Sequence, residues 1–129
     1  MTKALLIVGG VLNSVFFLFH VYLGYQIHHL VRLAASYRSL MEALNVGGCL
    51  FILFFAYASL CRAGDLIRTR LGWAVLALVS ALYLSRAAEE FFLFSFTPAI
   101  FGSCALVGGL YAAILVLAVR SGSRSSAAA

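Results

Sequence analysis

At 129 residues, with 64% of them apolar and 10% charged, the chain departs far from the roughly 45–50% apolar and 25% charged make-up of a soluble domain. A soluble core of that composition would leave almost no surface to wet, so the class that fits is a membrane protein. The net charge of +5 does not point to nucleic acid, because most of the basic residues flank apolar segments, where the positive-inside rule places them.

The first apolar segment, residues 4–27, reads ALLIVGGVLNSVFFLFHVYLGYQI. As a helix it reaches ~36 Å, more than the ~30 Å hydrocarbon core, and it is expected to continue to about residue 30. Lys3 gives it the basic start of a signal peptide. The apolar run is too long for such a peptide, however, and no clean small-x-small cleavage site follows it. Asn13, Phe17, His20, Gly24 and His28 fall within about a quarter of the helix circumference. In lipid such a stripe faces protein or water. Tyr22, Tyr25 and Gln26 cluster towards the far end as an aromatic belt does, and His29 reads as interfacial.

The first loop, 28–41, carries Arg32 and Arg38. A second segment, about 42–61, is just long enough to span, with Glu42 and Asn45 at its start and Gly47 and Gly48 allowing close helix approach. The second loop, RAGDLIRTR at 62–70, sets three arginines against Asp65 and is the most basic stretch of the chain. Cys49, Cys61 and Cys104 lie in or at the ends of separate apolar segments and form no CxxC pair, so they read as small buried side chains.

The third segment has only about 15 residues before Arg86, roughly 22 Å, too short to span. Its helix is therefore expected to run from 71 through Arg86, Glu89 and Glu90 to Phe96. The alternative ends it at Ser85 and lays FFLFSF along the interface. Ala77, Ala81, Ser85 and Ala88 form a ridge of small residues on it. Thr97-Pro98 makes a turn suited to starting the last helix, expected over 99–119. That helix carries two small-residue ridges, Cys104/Gly108/Ala112 and Ala105/Gly109/Ala113. The low-complexity tail, 121–129, is expected to be disordered.

The expected fold is thus an all-α membrane protein of four transmembrane helices in an up-down-up-down bundle. One side would carry Lys3, Arg62, Arg68, Arg70, Arg120 and Arg124, and the other only Arg32 and Arg38. Six against two puts both termini in the cytoplasm, in a bacterial inner membrane crossed several times.

A charge near the bilayer centre costs roughly 2.5–3.5 kcal/mol, which makes Arg86, Glu89 and Glu90 the centre of interest. Arg86 stands three residues before Glu89 and four before Glu90, so one helix face pairs it with either. Measured from the basic end, His20 stands ~24 Å up its helix, Arg86 ~21 Å and the two glutamates ~26 Å. The expected site is an outward-facing polar pocket of His20, Glu42, Asn45, Tyr83, Arg86, Glu89 and Glu90. A purely structural hydrogen-bonded network of the same groups is the competing expectation.

Several chemistries can be weighed. His20 with Glu89 or Glu90 suits a single metal ion, but no paired Glu-x-x-His and no HExxH occurs. Haem ligated by two histidines would need a second copy or another subunit, since all three histidines lie in the first segment or at its end. Ser14, Ser80 and Ser85 lack a G-x-S-x-G setting, and Asp65 lies at the far end. With no catalytic motif, the expectation is a non-enzymatic protein. Its pocket would bind a small or amphipathic ligand or dock a partner subunit, in a homo-oligomer or a larger membrane complex. The alternative is a redox or proton-coupled component with a quinone, metal or haem site, or an oligomeric transporter. The sequence does not name a cofactor.

Overall fold

A computed structural model describes residues 2–29, 32, 34–92 and 96–126, with side chains to residue 121. Its helices are α1 (Thr2–His29), α2 (Ala35–Cys61), α3 (Ala63–Arg68), α4 (Arg70–Phe92) and α5 (Pro98–Ser126). Four of the five are long and apolar enough to cross a membrane, so the chain is a multi-pass integral membrane protein with the all-α, four-helix architecture expected from its composition.

The helices outrun the apolar runs that reveal them. α2 begins at Ala35, not near residue 42, so Glu42 and Asn45 lie two to three turns inside it. Residues 35–42, ASYRSLME, are mostly good helix formers, and Arg38 N–H already donates to Ala34 O at 3.0 Å. Charge there marks where apolar composition stops, not where helix stops. At the other end of the chain α5 runs past Arg120 to Ser126, so residues 121–126 are helical, not disordered as expected from their composition; 127–129 lie outside the described residues. α4 passes unbroken through Arg86, Glu89 and Glu90 to Phe92, which rules out an end at Ser85. The remainder of its expected course, at 93–95, also lies outside the described residues.

α1 pairs with α2 and α4 with α5, and the two hairpins meet through α1 and α5. The basic loop is not a plain connection. Its short α3 touches all four long helices and drives Leu66, 5% exposed, into the core. Thr69, in extended backbone, then starts α4 by accepting the Gly72 N–H on its hydroxyl at 2.9 Å, the usual N-cap arrangement. Gly72 is needed here: a Cβ at this position would collide with the backbone of Asp65 and Leu66.

The core is assembled from Leu6, Phe55, Leu76, Val79, Val107 and Ile114, all nearly inaccessible. Between α4 and α5 the Cys104/Gly108/Ala112 ridge of α5 makes the close contact, whereas the α4 ridge of Ala77, Ala81, Ser85 and Ala88, expected to pack, is exposed. Gly108 lies against Leu84, with 2.8 Å from an added Cβ to Leu84 Cγ, and the Ser80 hydroxyl donates to Gly108 O at 2.9 Å. The second ridge differs. Nothing lies within 4 Å of a Cβ built at Gly109, and this face of α5 is turned outward.

Candidate functional site

The seven residues expected to share one pocket fall into three groups. The first lies between α1 and α2. Asn45 Nδ2 donates to His20 O at 3.0 Å, which turns Asn45 Oδ1 towards the ring, where His20 Nδ1 donates to it at 3.0 Å. A neutral His20 held this way carries its lone pair on Nε2. Two turns further along α1, His28 Nδ1 meets Glu42 Oε1 at 2.8 Å, with side chains 61% and 36% exposed. His20, Gly24 and His28 do form one stripe, and α2 supplies its partners.

The second group is on α4. Arg86 Nη2 lies 2.7 Å from Glu90 Oε1, and Arg86 Nη1 lies 3.7 Å from Glu89 Oε2. The i,i+4 partner is the closer one. The two glutamates are unlike in burial. The Glu90 side chain is 1% exposed, while that of Glu89 is 42% exposed. Glu90 has a second task, because its Oε2 accepts the Thr97 N–H at 3.1 Å. Thr97 O in turn accepts from Phe101 N–H, so Thr97 caps the N-terminus of α5. A carboxylate there satisfies an end-group donor and lies at the positive end of the helix dipole. Glu90 therefore fastens the end of α4 to the start of α5.

Tyr83 belongs to neither group. Its hydroxyl donates to Asn13 Oδ1 at 2.7 Å. Asn13 Nδ2 donates to Gly9 O at 2.8 Å and to the Tyr111 hydroxyl at 2.9 Å. Tyr111 then meets Ser59 Oγ at 2.6 Å. One hydrogen-bonded chain thus links α4, α1, α5 and α2 through residues that are almost wholly buried. Tyr83 and Glu90 share the inner face of α4, but seven residues separate them by ~10 Å along the axis. Phe16 packs on the Tyr83 ring with centroids 5.4 Å apart, which fixes this residue at the level of Asn13.

Sequence reasoning missed Tyr111 and Ser59. Both sit in uncharged spans, where a single hydroxyl hardly alters the apolar pattern. The signal that finds them is the requirement that polar atoms in a bilayer be satisfied internally.

The arrangement brings together pairs, not a larger donor set. Among the described residues, no three His, Cys, Asp or Glu side chains gather as a metal site would require. His20 is bonded to Asn45, and Glu90 to Arg86 and Thr97. Around the second group stands an aromatic rim. Phe91 and Phe96 stack at 5.1 Å, and Phe92 is the most exposed large apolar residue described, at 84%. No family model matches the chain, and no curated protein or solved structure does either.

Proposed function

We propose that this chain is a non-enzymatic docking component of a membrane complex, and that the α4 end carrying Arg86 and Glu89, with the exposed His28–Glu42 pair, receives the partner. The observation that carries this reading is Glu89. Its carboxylate is 42% exposed on a helix long and apolar enough to span a membrane and lies 3.7 Å from an arginine that holds Glu90 more closely, at 2.7 Å. A charge so placed against lipid is costly, and a polar or basic group from another chain would offset that cost. Exposed Phe91 and Phe92 beside it add the aromatic surface that, together with arginine, is enriched at protein interfaces. The setting proposed with it is a bacterial inner membrane; the six-to-two bias of basic residues between the two ends supports the orientation with both termini cytoplasmic.

The test is a photo-crosslinking residue at Phe92 in native membranes, with Val15, on the outward face of α1, as the control position. One discrete protein adduct at Phe92, lost on Glu89→Lys and absent from Val15, is the expected result. An adduct of twice the chain mass would identify the partner as a second copy. Adducts only to lipid or another small amphiphile would contradict docking.

A further inference from the structure

At the opposite end of the bundle α2 and α4 stand apart. Because the two hairpins meet through α1 and α5, a cleft of about 170 Å³ is left, walled by Phe54 and Tyr57 of α2 and Leu71 and Val75 of α4. It continues into a wider concavity of about 290 Å³ lined by Cys61, Arg62, Gly64 and Asp65. Arg62 and Asp65 border both hollows. The first is apolar and lies between spans. The second is polar and lies where the spans end.

The charge at this junction is unbalanced. Asp65 is engaged by Arg62 at 2.5 Å. Arg68 and Arg70 are both exposed and flank Thr69, which itself lines the cleft. The site therefore offers a narrow apolar slot with Arg62 at its rim, and the exposed Arg68 and Arg70 stand next in sequence to its lining residue Thr69. Juxtamembrane basic residues attract anionic lipid with about 1 kcal/mol each, and arginine matches phosphate geometry well.

We propose that this cleft seats an acyl chain of one anionic phospholipid, whose phosphate lies against Arg68 and Arg70 beside the Arg62–Asp65 pair. The site is distinct from the docking end and does not depend on it. α3 holds the site together, since it touches both hairpins, and a lipid wedged there would bridge α2 to α4.

The experiment is native mass spectrometry of the full chain in a neutral detergent, titrated separately with dioleoyl phosphatidylglycerol and dioleoyl phosphatidylcholine. One molecule of the anionic lipid should be retained in preference to the zwitterionic one. Arg68→Gln and Arg70→Gln should each weaken that retention roughly fivefold, with melting unchanged because both side chains are exposed. Val75→Trp, which fills the cleft, should weaken binding of the lipid with the arginines intact; if that variant fails to fold, the arginine variants decide alone. Arg120→Gln, an exposed arginine on α5 and not beside a cleft-lining residue in sequence, should leave retention as in the wild type. Equal retention of both lipids, an undiminished signal in the two arginine variants, an equal loss in Arg120→Gln, or a lipid-free dimer would each overturn the proposal.

Discussion

At mid-bundle, four neutral side chains from four helices close a hydrogen-bonded chain, Tyr83–Asn13–Tyr111–Ser59. Near the α4–α5 connection, three charged side chains from one helix share their contacts unequally. The first region is sealed, and its polar atoms serve the joining of helices. The second is divided within itself, since Glu90 is as buried as Asn13 while Glu89 is half exposed. Burial and partners, more than formal charge, separate structural polar groups from those available to another molecule. By that standard Glu90 belongs with the mid-bundle chain, and Glu89 does not.

The comparison can be broken most forcefully at Asn13, which bonds to both tyrosines. Asn13→Leu keeps the branched side-chain shape but removes the acceptor of Tyr83 and a donor to Tyr111. Leaving buried hydroxyls short of partners should lower stability by about 2 kcal/mol, read as a lower melting temperature in detergent. A smaller effect is expected from Tyr83→Phe. It keeps the ring against Phe16 and loses one interhelical bond, on average ~0.6 kcal/mol in membrane proteins. A Tyr83→Phe loss as large as that of Asn13→Leu would mean that the chain has no central member. Smallest of all, His28→Ala removes an exposed pair with Glu42; its stability should change by less than ~0.5 kcal/mol.

The span count and the helical course of the charged stretch were legible because both follow from length. Apolar runs near 20 residues span a bilayer, and the segment before Arg86 is too short to do so. The pairing of Arg86 with Glu90 follows from i,i+4 spacing. Helix ends were not legible at Ala35 and Ser126, because helix propensity and membrane burial end at different residues. Nor was the partner of Tyr83. The sequence groups Tyr83 with the charged residues, but its hydroxyl is bonded to Asn13, ~10 Å along α4 from Glu90. Lateral placement of the helices was likewise out of reach. Alternation gives antiparallel neighbours, but only packing shows that α1 and α5 join the hairpins while α2 and α4 leave a cleft.

The division between the two adjacent glutamates is tested most directly by thermal unfolding of Glu89→Gln and Glu90→Gln, side by side in one detergent. Glutamine at 90 can still accept the Thr97 N–H but no longer neutralises Arg86, and in a buried setting this should cost about 2 kcal/mol. Glutamine at 89 gives up a long contact at a half-exposed site and should melt within ~0.5 kcal/mol of the wild type. Equal losses in the two variants, or a larger loss for Glu89→Gln, would contradict the assignment of Glu90 to the fold and of Glu89 to docking.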